Sequence, residues 1–383
     1  MSWTNQRNRN IAILLTSLSI VVYSASFYFR NVGLLLVATG TVLTAVSLHF
    51  QRITSFGISA VALCLSLAAA ECVAPLFFTN EKKETDVVVT FLPKNIWKRS
   101  DDLGALGNAG IYTVRAQSLS GETIYDVKYS IGEDGFRITP GVENGHQRIN
   151  FLGDSGMFGL GLNDNETLPY FINQRIRNIS VKNWGIPAYG AHQALAILES
   201  DRDTKGAINF LVTGPWHAVR SSCKPIWTAG SPKYEMRSNG ALVRVGHCSQ
   251  GDELGVFRKL LSQSRLYSVA EKIWRDSTSD GDLELYFAII KQVAEMSRHR
   301  GQTFIIGFAK AEESFFKGTS YTNEKVFVKL KEMSDEIIDL TLADRVENVD
   351  ARYFLHRLDR HPSALANGKT ATMLVDTFNR HLR

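Results

Sequence analysis

Three apolar runs, at 11–29, 32–50 and 55–78, fill most of the first eighty residues. Each is close to the ~20 residues that a helix needs to cross a bilayer, where every backbone polar group must be bonded within its own segment. Only Arg30-Asn31 and Gln51-Arg52-Ile53-Thr54 separate them, so they predict three closely packed antiparallel transmembrane helices. A cleaved signal peptide does not account for the second and third runs. The constraint divides the chain into a membrane region, 1–80, and a remainder of different composition that must carry any chemistry.

Arg7 and Arg9 before the first run, and Arg52 in the second link, outweigh Arg30 and Lys82-Lys83 and favour a cytoplasmic N-terminus. Three crossings then put everything after about Thr79 on the far side, periplasmic in a bacterial inner membrane. Cys223 and Cys248, the two cysteines beyond the apolar runs, either pair in such an oxidising compartment or remain buried thiols. Glu71 falls inside the third run near its end; an intramembrane carboxylate is costly, and its place fits an interfacial or helix-packing role. Four arginines against Glu71 give the first 80 residues +3 of the chain's formal +5. The remainder carries only +2, which argues against the concentrated basic face of a nucleic-acid binder.

From 81 to 147 the residues predict a small β-rich lead-in. Stretches 86–92, 111–116 and 124–131 are rich in β-branched and aromatic residues, and Gly132-Glu133-Asp134-Gly135 predicts a hairpin between 124–131 and 136–140. From 148 to 383 strands alternate with helices: strands at 149–152, 180–184, 207–212, 303–308 and 337–342, helices at 168–177, 192–199, 255–264, 283–298 and 323–335. This order predicts an α/β fold, a parallel sheet with helices on both faces. Active sites in such sheets lie beyond the carboxyl ends of the strands. Residues 223–249 are expected to form an inserted loop over that edge.

At that edge, directly after the first of these strands, stands Gly153-Asp154-Ser155, and near the C-terminus stands Asp359-Arg360-His361-Pro362. A serine hydroxyl needs an imidazole to take its proton, and the imidazole needs a carboxylate to fix its tautomer and stabilise its cation. The two motifs supply all three. Gly-Asp-Ser alone is a common turn tripeptide; the pairing with Asp-x-His-Pro gives it meaning.

The segment from about 149 to the C-terminus resembles the SGNH, or GDSL-type, serine hydrolase superfamily. Gly153-Asp154-Ser155 with Phe158-Gly159-Leu160-Gly161 is similar to its first block, and Asn183-Trp184-Gly185-Ile186-Pro187-Ala188-Tyr189-Gly190 to its Asn-x-Gly-x-x-Gly block. Asp359-Arg360-His361-Pro362 resembles a shortened form of the last block, Asp-x-x-His-Pro. The resemblance implies a three-layer α/β/α domain, with Ser155 as nucleophile, His361 as base and Asp359 as orienting acid. It further implies oxyanion donors from the Ser155 and Ala188 N–H groups, with Gly185 nearby. Ala188 replaces a glycine, but a main-chain donor survives that change if the turn tolerates a Cβ. The third block, Gly-x-Asn-Asp in the family, is Gly214-Pro215-Trp216-His217 here. Its missing amide is replaced by His217 or Arg220, or else the hole has lost a donor.

His356 is the alternative base, though without a following proline. His192 and Gln193 read as surface or capping residues. Cysteine and histidine spacings form no ligand set for a metal, and no cofactor is implied. The expected activity is cleavage of an O-acyl ester, on an O-acetylated carbohydrate or on a lipid of the adjacent bilayer. Two alternatives stand beside it: transfer of the acyl group to a polysaccharide hydroxyl with an acyl-supplying membrane partner, and a non-catalytic binding or assembly protein that keeps the fold.

Overall fold

A computed structural model describes residues 39–42, 64, 66, 68, 71, 87–141, 145–248, 264–340 and 350–382. The three apolar runs lie almost wholly outside the described residues, as does the helix expected at 255–264 apart from Ser264. Among the described residues no helix is long and apolar enough to cross a membrane. The chain divides into two compact units, 1–81 with 251–275, and 82–250 with 276–383.

The larger unit is built on a five-stranded parallel sheet. Its strands are β6 (Gln147–Leu152), β7 (Ile179–Asn183), β8 (Ile208–Thr213), β11 (Thr303–Phe308) and β12 (Glu336–Asp339), in the order β12-β11-β8-β6-β7. Every pairing is parallel. Strand β6 reads Ile149-Asn150-Phe151-Leu152 and is buried on both faces, as the centre of a helix-covered sheet requires. Ile149 and Phe151 pack with Leu168 and Ile172 of α2 (Leu168–Arg175) and with Leu374 and Phe378 of α8 (Ala364–His381). Leu152, Leu211, Phe304 and Ile306 pack on the opposite side with α3 (Ala191–Glu199), α6 (Asp280–His299) and α7 (Asn323–Met333). Two helical layers thus enclose the sheet.

Asn150 and Asn209 are wholly buried in the middle of this sheet. Asn150 donates to Asn209 at 2.9 Å and accepts from the Trp184 indole at 3.0 Å, while Asn209 donates to Ser297 and Gln302. Every polar group in the chain of contacts has a partner, which removes most of the burial cost.

The lead-in forms an antiparallel sheet, β1 (Val87–Leu92), β4 (Gly110–Ser118) and β5 (Thr123–Ile131), with a separate ribbon of β2 (Trp97–Ser100) and β3 (Gly104–Gly107). The hairpin expected between 124–131 and 136–140 shrinks to one bridge, Ile131 to Arg137. Arg137 instead turns inward to bond carbonyls of another segment, so its strand cannot continue. Residues 223–248 are no simple loop: β9 (Pro232–Met236) pairs with β10 (Leu242–His247), and a Cys223–Cys248 disulfide closes the base. The C-terminal motif is a strand of a short hairpin, β13 (Phe354–His356) with β14 (Asp359–Pro362).

Candidate active site

Strand β6 ends at Leu152, and Gly153 turns the chain with φ +156°. A Cβ there would stand 2.8 Å from Met157 Cβ and 3.2 Å from the Val212 carbonyl, so the turn needs glycine. Asp154 caps the single-turn helix α1 (Ser155–Phe158), accepting the Gly156 N–H at 3.0 Å. Gly159 closes it in the left-handed conformation, and a Cβ there would meet Thr167 at 2.6 Å. Ser155 therefore sits on a sharp strand-to-helix turn at the carboxyl edge of the sheet.

His361 comes to it from 206 residues away. Its Nε2 lies 2.8 Å from Ser155 Oγ, and its Nδ1 lies 2.5 Å from Asp359 Oδ1. Asp359 also accepts the His361 backbone N–H at 3.1 Å. Burial opposes the charge on Asp359, but the hydrogen bond and positive field of His361 outweigh it and hold the carboxyl below its ordinary 3.8. An ionised Asp359 keeps the proton of neutral His361 on Nδ1 and leaves Nε2 free to accept from the serine. His356, the other candidate base, is held away by Glu122, whose Oε1 is 2.9 Å from its Nε2.

Asn183, at the end of β7, donates to the Met157 carbonyl at 3.0 Å and accepts the Gly185 N–H at 2.9 Å. Gly185 therefore spends its amide on Asn183, and no donor toward the serine remains there. The next turn closes through Tyr189 N–H to the Ile186 carbonyl at 3.2 Å, with Pro187 second and Ala188 third at φ +73°. Proline followed by a positive-φ residue is the pattern of a type II turn, which favours glycine at the position Ala188 holds. The N–H groups of Ser155 and Ala188 make no other hydrogen bond among the described residues.

His217 and Arg220, on α4 (His217–Ser221), face Asp154. Arg220 Nη1 donates to Asp154 Oδ2 at 2.7 Å and to the Tyr189 carbonyl at 2.6 Å. The Trp216 indole donates to the same oxygen at 3.0 Å, and His217 Nε2 lies 3.4 Å from it. Behind His217, its Nδ1 is 3.0 Å from Thr213 Oγ1, which is 2.9 Å from the Tyr286 hydroxyl. A neutral His217 carrying its proton on Nε2 satisfies this series in one direction: Tyr286 donates to Thr213, Thr213 to His217, and His217 to Asp154. The altered third block thus grips the residue before the nucleophile in place of supplying an amide to the oxyanion. Arg220 thus bridges the elements that carry Ser155 and Ala188.

His192 is wholly buried beside this cluster, its Nδ1 3.2 Å from Ser221 Oγ and its Nε2 without a partner. Burial first, then the neighbouring His217 and Arg220, push its pKa from 6.5 to about 3. It is neutral, and neither a surface residue nor a simple cap.

The lead-in reaches the site from two directions. Arg137, 1% exposed, donates to the carbonyls of Phe158, Gly159, Leu162 and Lys128 and to Asp164. Its guanidinium lies over the Tyr129 ring, 4.3 Å from the centroid, and the Tyr129 hydroxyl accepts the Gly161 N–H at 2.7 Å. These bonds tie down the loop that follows Ser155. On the other side, Glu122 accepts from both His356 and Arg357 of the hairpin that carries Asp359 and His361. No sequence signal marked Arg137, Tyr129 or Glu122, because most of their partners lie between 21 and 235 positions away.

A cavity of about 50 Å³ opens beside the triad, lined by Met157, Val212, Trp216, Ala309, His361 and Pro362 among others. Among the described residues no cluster of histidine, cysteine or carboxylate side chains has the arrangement to hold a metal ion.

No known family model and no curated protein matches the chain. Among solved structures it is similar to a member of the lipolytic G-D-S-L family from Veillonella parvula, at 12% identity and a TM-score of 0.35, over 61% of this chain and 98% of that one. It is similar also to the psychrotrophic esterase EstA from Pseudoalteromonas sp., at 12% identity and a TM-score of 0.34, over 61% of this chain and 97% of that one. At such identities and scores, function has to be argued from the chain's own residues.

Proposed function

We propose that the chain is a membrane-anchored serine esterase whose catalytic domain lies outside the cytoplasm and cleaves an O-acyl ester with a short acyl group. The observation that carries this reading is one imidazole placed 2.8 Å from Ser155 Oγ and 2.5 Å from Asp359 Oδ1. Ser155 Oγ attacks the acyl carbon while its proton passes to His361 Nε2, and Asp359 stabilises the imidazolium. The carbonyl oxygen becomes an oxyanion held by the Ser155 and Ala188 N–H groups. As the intermediate collapses, the ester C–O bond breaks and His361 returns the proton to the departing alkoxide. A water molecule, deprotonated by His361, then attacks the acyl-serine and releases the acid.

A small cavity beside His361, lined by Met157, Val212, Trp216 and Ala309, offers an apolar wall for an acyl group, and we favour an acetyl group on carbohydrate over a membrane lipid. The Cys223–Cys248 disulfide supports an oxidising compartment, in line with the periplasmic side that the charges around the apolar runs favour. With only two main-chain donors for the oxyanion, turnover is expected to be modest, since one lost donor typically costs roughly 100- to 1000-fold.

A fluorophosphonate probe tests the reading before any substrate is known. Wild-type protein should label, and Ser155→Ala and His361→Ala should not. Absence of labelling in folded wild type would shift the reading to a binding protein that keeps the fold.

A further inference from the structure

Helix α5 (Arg265–Asp276) belongs, but for its last residue, to the compact unit that includes residues 1–81 and 251–275. Its period of 3.6 residues gathers Val269, Ala270, Ile273 and Trp274 on one side, and Ser268, Glu271, Lys272 and Arg275 on the other. Such segregation normally buries the apolar side against protein. Here Ile273 is 56% and Trp274 53% exposed, while Glu271 and Arg275 pair at 2.7 Å on the polar side.

A second observation fixes where the helix begins. Ser264 Oγ donates to Glu71 Oε2 at 2.8 Å and accepts the Tyr267 N–H at 3.0 Å, so the residue that caps α5 is bonded to the third apolar run. Glu71 is 4% exposed and lies seven positions before the end of that run. On the sequence expectation of a transmembrane helix there, seven residues correspond to roughly 10 Å, and a run of about 36 Å overhangs a ~30 Å core by about 3 Å at each end, which puts Glu71 about 7 Å below the boundary between headgroups and acyl chains. A carboxylate at that depth needs a donor, and Ser264 supplies one.

We infer that α5 lies in the plane of the membrane surface, with Val269, Ile273 and Trp274 in the acyl-chain boundary and Lys272 toward the headgroups, while Glu271 and Arg275, largely buried, hold the helix to the rest of its unit. The occupant of the exposed apolar side is lipid. An interfacial helix sinks its apolar face about 5–10 Å into that boundary, the depth at which the Ser264–Glu71 bond sets its start. Trp274 and Tyr267, at the edge of the apolar side, are the residue types that favour this boundary. The inference rests on the reading of 11–78 as membrane-spanning.

Full-length protein in phosphatidylethanolamine/phosphatidylglycerol vesicles tests it, with Cys64 and Cys72 replaced by alanine and an environment-sensitive fluorophore on Ile273→Cys or Ser268→Cys. A lipid spin-labelled near the headgroup should quench position 273 about threefold or more over position 268. Circular dichroism and a melting curve check that both labelled proteins are folded. Equal quenching overturns the inference. A blue-shifted emission at 273 without lipid quenching also overturns it, because protein would then cover the face. If vesicle sedimentation retains the protein in either case, the membrane reading survives and only the placement of α5 falls; if the protein does not sediment, both fall.

Discussion

Asp154, on one side of the nucleophile, is 3% exposed and gathers donors from Trp216, His217 and Arg220 on one oxygen and from Gly156 on the other. Asp359, on the opposite side, sits on a hairpin strand whose four residues are all half-buried, and the outer tie of that hairpin is the exposed Glu122. The nucleophile side is thus built into the core, and the base side is laid onto the surface. Buried charges are costly to strand, because the partner left behind is neither solvated nor paired, whereas exposed pairs are weak and screened. Changes on the nucleophile side should therefore lower stability and activity together. Changes on the base side should lower activity alone.

The sharpest break of this contrast is Arg220→Met. It removes a cationic partner of the buried Asp154 and frees the Tyr189 carbonyl, so we expect a loss of about 3 kcal/mol in urea unfolding and roughly 100-fold in kcat with little change in KM. Arg220→Lys keeps the charge but not the two-point reach of the guanidinium, and should recover stability better than turnover. If Arg220→Met lowered stability and left kcat intact, its role would be packing alone.

His192 sharpens the same side through pH. Its folded pKa of about 3 lies below its ordinary 6.5, so between those values the unfolded chain holds the extra proton. Stability must then fall as pH drops from about 6.5 toward 3, and the loss from pH 7 to pH 5 is about 2 kcal/mol from this residue. His192→Gln should flatten the dependence by that amount, read from urea midpoints at the two pH values. An unchanged slope would mean that His192 is solvated.

On the base side, Glu122→Gln removes the carboxylate that holds His356 and Arg357. The unfolding midpoint should not move measurably, while turnover falls severalfold as the hairpin loosens. At roughly 1 M salt, where the screening length is about 3 Å, wild type and variant should converge. A shifted midpoint with normal turnover would erase the distinction between the two sides.

How much of this was legible in sequence follows the reach of each interaction. Four of the five sheet strands, and helices α2 and α3, appear within two residues of their expected places, because apolar patterning is local; β12 ends three residues early, and α8 was not expected at all. The Ser155 turn was readable for the same reason, since Gly153 and Gly159 are demanded by contacts with near neighbours in the chain. His361 and Asp359 were legible only as a motif; the hairpin that presents them left no periodic mark. The roles of His217 and Arg220 could not be read, because what decides them is Asp154, 63 and 66 positions back. Arg137 was equally silent: an arginine between Phe136 and Ile138 reads as a surface residue until its acceptor carbonyls are placed around it. Helix α5 escaped because the helix expected in this part of the chain, 255–264, ends at Ser264, the residue whose hydroxyl caps α5.

The smallest effect concerns a point where the nucleophile side carries strain. Ala188 holds φ +73°, where an alanine loses about 1–2 kcal/mol relative to right-handed backbone. Glycine would relieve that, but it gives up roughly 0.5–1 kcal/mol in unfolded-chain entropy. Ala188→Gly should therefore be neutral to stabilising by no more than about 1 kcal/mol. The Ala188 N–H persists in the variant, and Arg220 still holds the neighbouring Tyr189 carbonyl, so kcat should change less than about twofold. A large rise in kcat would mean that the methyl group, and not the clamp, sets the oxyanion geometry. A large fall would mean that the stiffness of alanine holds the donor in place, which would move this turn from the clamped side of the molecule to the adjustable one.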